Sequence, residues 1–139
     1  MSQRANEAQG EFATEAVADR YGLVVENGLV DWYDAVNDGT GTKYEVKSTS
    51  KRIGDDYPAA GRFRLWRDQH RSLQASDASG VAWYAFVLLD DDGNVVEIQR
   101  RKPATVGAIV RERGGWNLAG HTERDGPQHK LPWTEVVDA

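Results

Sequence analysis

Val30-Asp31-Trp32-Tyr33-Asp34-Ala35-Val36-Asn37-Asp38-Gly39-Thr40-Gly41-Thr42-Lys43-Tyr44-Glu45-Val46-Lys47 is the stretch whose reading decides the fold of this chain. It divides into two extended runs around a turn. Leu29 to Val36 is rich in β-branched and aromatic residues, and Thr42 to Ser48 alternates. Asn37-Asp38-Gly39-Thr40-Gly41 between them supplies the glycines of a hairpin turn. A turn closing on Gly39 and Thr40 pairs residues whose numbers add to 79, which sets Asp34 directly opposite Glu45. Opposed side chains of an antiparallel pair lie roughly 4.5–5.5 Å apart, and like charges there destabilise the sheet unless a cation joins them. Lys47, two residues beyond Glu45, projects from the same face of its strand, whereas Asp31, three residues before Asp34, does not share that residue's face. A slip of one residue would undo the pairing.

Asp34 followed by Glu45-Val46-Lys47 across a short hairpin resembles the active-site pattern of the PD-(D/E)XK nuclease superfamily, of restriction-endonuclease and Holliday-junction-resolvase type. The leading proline of that pattern is absent, and Val30-Asp31-Trp32-Tyr33 stands before Asp34 instead. The resemblance covers roughly residues 10 to 90. It implies a mixed central β-sheet flanked by helices and hydrolysis of DNA phosphodiester bonds. It also implies Mg²⁺, with Mn²⁺ as a substitute, held by Asp34, Glu45 and the Val46 carbonyl, with Lys47 assisting the attacking water. Many relatives carry a glutamate on the first helix and a polar residue on the helix after the catalytic strand. Glu11 and Glu15, one turn apart, match the former, with Glu11 favoured by its distance from Gly22; Gln69 matches the latter.

The bulk properties bound this reading. The chain has 139 residues, the length of one domain, and is expected to form a core over about residues 10–98 with a C-terminal extension over 99–139. It contains no cysteine, which excludes disulfides, thiolate metal sites and a cysteine nucleophile. No signal peptide or membrane span is legible, so a cytoplasmic location is expected; a homodimer is left open. The net charge of −5 argues against a polyanionic partner, but the distribution reverses the argument. Lys51, Arg52, Arg62, Arg64, Arg67 and Arg71 form a local basic group, assigned here to DNA, and Arg100-Arg101-Lys102 forms a second. Arginine outnumbers lysine 12 to 5 and aspartate outnumbers glutamate 13 to 9, a bias resembling that of proteins from salt-loving archaea.

In chain order, residues 1–9 are expected to fray, Glu11 to Tyr21 to form a helix stopped by Gly22, and Leu23-Val24-Val25 to form a short strand. Lys51 to Ala60 has the composition of a mobile loop, and Gly61 to Leu65 leads into a helix on which Trp66 and Leu73 face inward while Gln69 or His70 lies at the edge. His70 reads more readily as a solvated or phosphate-contacting residue than as a general base. Val81 to Leu89, the most apolar run, should be a central strand, with Val95 to Ile98 as its partner across an Asp-Gly turn. Pro103 to about Arg113 reads as a helix, Trp116 to Lys130 as a long loop, and Trp133 to Val137 as an edge strand. His121 and His129, eight residues apart, lack the spacing of a helical zinc site. The reading from another functional class is a nuclease-like fold without activity that binds nucleic acid or a partner protein.

Overall fold

The computed structural model describes residues 3–26, 32–53, 59–117 and 126–139; for residues 3–7 and 53 only the backbone is described. The first helix, α1, runs Gln3–Tyr21 and therefore begins well before Glu11, so the polar N-terminal residues extend the helix where fraying was expected. Their composition is helix-compatible although it offers no apolar stripe. Gly22 ends α1 at φ +67°, a conformation that costs glycine nothing.

A five-stranded sheet follows from β1 (Val24–Val25), β2 (Ala35–Val36), β3 (Lys43–Ser50), β7 (Ala82–Leu89) and β8 (Val95–Arg101), adjacent in that order. β3 and β7 are parallel and the other neighbours are antiparallel, giving a mixed α/β sheet of restriction-endonuclease type. β7 lies between two partners and is buried throughout except at Trp83, as its unbroken apolar run requires. Its two sets of alternate residues serve two cores. Ala85, Val87 and Leu89 pack with Ala13 and Val17 of α1, whereas Tyr84, Phe86 and Leu88 meet a second layer on the opposite face.

That second layer consists of α2 (Arg67–Ser79), α3 (Pro103–Glu112) and a two-stranded ribbon of β6 (Arg62–Trp66) with β9 (Gln128–Pro132). Trp66, His70 and Leu73 recur at helical spacing and are all buried, so His70 lies under α2 rather than at its edge. β9 begins within the segment read as a long loop and runs two residues past it, and Trp133–Glu135, expected to belong to an edge strand, is a 3-10 helix. Gly126 at φ +129° and Pro127 precede β9 and mask its short alternation of buried and exposed residues. Val106, Val110, Leu131, Val136 and Val137 share the core of Phe86, so the C-terminal third is integral to this layer.

The segment expected to be a plain loop after β3 carries a small antiparallel pair, β4 (Arg52–Ile53) with β5 (Ala59–Ala60). Residues 54–58 between them lie outside the described residues. Gly61 then brings the chain against β3 so closely that a Cβ there would stand 1.8 Å from the Ser50 carbonyl oxygen. Its N–H donates to Lys51 O at 3.1 Å, and the Trp133 indole N–H donates to the same oxygen at 2.9 Å. These contacts fix the ribbon to the end of β3.

Candidate active site

The hairpin turn forms as its sequence dictates. Asn37 Oδ1 accepts from the N–H groups of Gly39 and Thr40, Asn37 O accepts from Gly41, and Gly41 takes φ +75°. Ala35 pairs with Tyr44 and Val36 with Lys43, the register in which residue numbers add to 79. One residue further the ladder changes. Asp34 N–H also donates to Tyr44 O at 2.8 Å, so two successive residues face one, as in a β-bulge, and Asp34 has no direct partner in Glu45. Its carboxylate instead accepts from Val46 N–H at 2.8 Å. The expected face-to-face opposition is thus replaced by a carboxylate seated on the backbone of the neighbouring strand. Asp31 lies outside the described residues.

Beyond Tyr44, β3 has no strand partner on its β2 side among the described residues, and a cavity of about 640 Å³ opens along that edge. Gly10, Glu11, Thr14 and Glu15 of α1, Val25 and Glu26 at the end of β1, and Asp34, Glu45 and Val46 line it. Asp34, Glu45 and both first-helix acids predicted from sequence therefore share one cavity. Glu26 was not among them. Its position directly after the short apolar run was the available signal, and Glu26 N–H donates to Asp34 O at 2.8 Å, which ties it to the bulge.

Glu45 is buried, and Lys47 Nζ lies 3.8 Å from its carboxylate. The same ammonium donates to Gln69 Oε1 of α2 at 3.0 Å, so Gln69 reaches the site through Lys47. Glu45 is the register neighbour of Tyr84 on β7. Burial, and after it the Glu45 charge, raises the Tyr84 phenol well above its usual pKa, and its hydroxyl lies 2.8 Å from His70 Nδ1. His70 packs against Trp116 and against Gly107, where a Cβ would come within 3.0 Å of Nε2. Burial, reinforced by the Arg111 charge, lowers His70 from 6.5 to about 4, so it is a neutral core residue and not a solvated one.

Among the described residues every side-chain donor lining the cavity is an oxygen, the kind of ligand Mg²⁺ selects, and Glu45 and Asp34 are already held by neighbouring groups. Among the described residues, however, no three histidine or carboxylate side chains converge closely enough to enclose an ion. The donor set fits a hard cation in kind, and closure around it would require the exposed Glu11 or Glu15 to move inward. His121 lies outside the described residues, and His129 is buried with Nδ1 3.0 Å from Gly115 O.

The six cations assigned to DNA separate into groups. Arg52 lies 3.6 Å from Asp91. Arg67 and Arg71 each stand two positions from Gln69, and two positions on an α-helix are about 200° of rotation. They leave α2 on the side opposite the site. Lys51, Arg62 and Arg64 remain on the segment fixed to the end of β3. The second basic cluster is engaged elsewhere. Arg100 is sandwiched between Tyr21 and Trp83 at 4.5 and 4.4 Å and donates to Tyr44 Oη, Arg101 lies 3.5 Å from Asp138, and Lys102 bonds Asp77.

A mixed sheet with helices on both faces, and an acid-acid-lysine set at the edge of its central hairpin, define a nuclease-like α/β domain. The family model of the PD-(D/E)XK nuclease superfamily domain matches residues 1–138, and the chain belongs to that superfamily. No curated protein matches the sequence.

Proposed function

We propose that this domain is a metal-dependent endonuclease that hydrolyses phosphodiester bonds of DNA, acting in the cytoplasm, with a homodimer as its candidate assembly. The observation that carries the reading is the placement of Glu45 and Lys47 on one face of β3 beside Asp34, whose carboxylate is fixed by the Val46 N–H, in a cavity lined by further acids. Asp34, Glu45 and the Val46 carbonyl would hold Mg²⁺ or Mn²⁺, with Glu11 or Glu15 completing the shell. The bound ion would supply Lewis-acid polarisation of the phosphate and acidify a coordinated water. Lys47 orients the attacking water and offsets charge accumulating on the phosphate oxygens. Gln69 keeps the Lys47 ammonium from collapsing fully onto Glu45, holding it at 3.0 Å against 3.8 Å.

Incubation with plasmid, linear, branched and single-stranded DNA in Mg²⁺ and in Mn²⁺ tests the activity, with Lys47→Ala as the control that should cut at least about 10²-fold more slowly. A separate readout is thermal: a ligand at 100 times its dissociation constant stabilises by about 2.7 kcal/mol, so Mg²⁺ should raise the melting temperature of the parent but not of Glu45→Gln. The lack of a converged carboxylate group among the described residues favours a second reading, an inactive nuclease-like module that binds nucleic acid or protein. Intact DNA in every metal, together with retained DNA binding, would select it.

A further inference from the structure

β6 and β9 pair antiparallel, with Arg62 opposite Pro132, Phe63 opposite Leu131, Arg64 opposite Lys130, and Leu65 opposite His129. Phe63, Leu65 and Leu131 are fully buried on the inner face. Alternation therefore places Arg62, Arg64 and Lys130 together on the outer face, with Arg62 and Lys130 exposed.

Two observations make this face unusual. Arg64 and Lys130 are like charges at directly opposed positions, an arrangement that destabilises a strand pair. Among the described residues no carboxylate lies within ion-pair distance of Arg62, Arg64 or Lys130, in a chain where acids outnumber bases 22 to 17. Arg64 Nε is buried and meets no acceptor among the described residues. Arg101, Lys102 and Arg113, by contrast, each have a carboxylate partner. Two cations at opposed positions, with a third two residues away on the same face and no carboxylate partner among the described residues, fit a partner bearing several negative oxygens at regular spacing.

The position relative to the site is also fixed. Gly61 and Trp133 tie the ribbon to Lys51 O at the end of β3, and the ribbon lies on the sheet face from which Glu45 and Lys47 project. Four residues of extended chain separate Lys47 from Lys51, roughly 13 Å at about 3.3 Å each, or about four nucleotide steps of ~3.4 Å along a duplex.

We infer that the outer face of the β6–β9 ribbon is a phosphate track, on which Arg62, Arg64 and Lys130 bind the backbone of duplex DNA a few nucleotides from the carboxylate site. The inference rests on the nuclease reading and assigns it a substrate path that excludes Arg67 and Arg71. Arg64 binds a phosphate through its terminal guanidinium nitrogens, its Nε being closed to solvent, and Lys130 neutralises the same or the adjacent phosphate as a point charge.

The experiment is a titration of a short DNA duplex at several salt concentrations, in Ca²⁺ to prevent cleavage, with parent, Lys130→Gln, Arg64→Gln with Lys130→Gln, and Arg67→Gln with Arg71→Gln. Each duplex phosphate contact contributes about −0.9 to the slope of log affinity against log salt. Lys130→Gln should flatten that slope by about one unit and the ribbon double variant by about two, while the α2 double variant keeps the parent slope. Lys130 is exposed, so the single variant preserves the fold; it should also melt slightly above the parent without DNA, because the opposed charges no longer repel. A parent that binds the duplex and shares its slope with the ribbon variants overturns the track and leaves the nuclease reading standing. A parent that binds no duplex, linear or branched, also overturns the track, and one that in addition binds no single-stranded DNA overturns both.

Discussion

The two edges of β3 differ more than any other pair of regions in the molecule. Toward β7 all of its residues from Lys43 to Ser50 have register partners; toward β2, among the described residues, only Lys43 and Tyr44 do. The first edge is continuous ladder beneath two apolar layers, and the second gives way after Tyr44 to a bulge, a seated carboxylate and an acid-lined cavity. One strand thus serves stability on one side and, on the nuclease reading proposed above, chemistry on the other. Charges can gather where the ladder ends, because there the backbone groups are free to bind side chains.

The comparison is broken most strongly by emptying the closed side. Phe86→Ala, at a fully buried position, should lower unfolding free energy by about 3–5 kcal/mol, measured by urea denaturation. A small loss there would mean that the β7 edge is not the stabilising one. Lys47→Ala probes the open side, where nuclease activity should fall by about 10²–10³-fold, the scale of losing one preorganised electrostatic group, with little change in melting temperature. Equal losses of activity and stability would erase the division between the edges.

Asp34 stands at the junction. Asp34→Ala strands the Val46 N–H and should cost about 1–3 kcal/mol, whereas Asp34→Asn keeps an acceptor and should melt close to the parent without metal. Identical melting of the two variants would show that the bond to Val46 contributes nothing. The smallest effect concerns pH. His70 titrates near 4 in the folded protein against about 6.5 when unfolded, so below pH 6.5 the unfolded chain takes up the proton first. Stability present above pH 6.5 is therefore lost progressively between 6.5 and 4. His70→Gln should flatten the decline in melting temperature across that window, and an unchanged decline would assign it to the carboxylates.

Much of this was readable because local signals agreed with tertiary ones. The hairpin turn and its register, the α1 stop at Gly22, the buried strand β7 and α3 follow from turn chemistry and periodicity, and the resemblance to the nuclease superfamily points to Asp34 and Glu45 together with Glu11 and Glu15, which share the cavity. What escaped was decided by long-range contacts. The bulge at Asp34 depends on Glu26 and Tyr44 meeting it from either side. His70 is an unremarkable helix residue until Tyr84 and Gly107 enclose it, and Lys130 looks like loop until β6 supplies its pairing partner. Arg100 reads only as part of a second basic cluster because its aromatic neighbours lie far away in sequence.

The parallel pairing of β3 with β7 has a kinetic consequence. Lys43 meets Ala82, and each later pair keeps that separation, so β3 reaches its main partner only after an intervening segment containing β6 and α2 has folded back. The local hairpin with β2 closes earlier in the chain but provides only two pairs. Closure of the long loop is therefore expected to limit the folding rate, with the site formed only after it. Any ligand of the carboxylate cavity should consequently leave the refolding limb of a chevron plot unchanged and slow the unfolding limb alone.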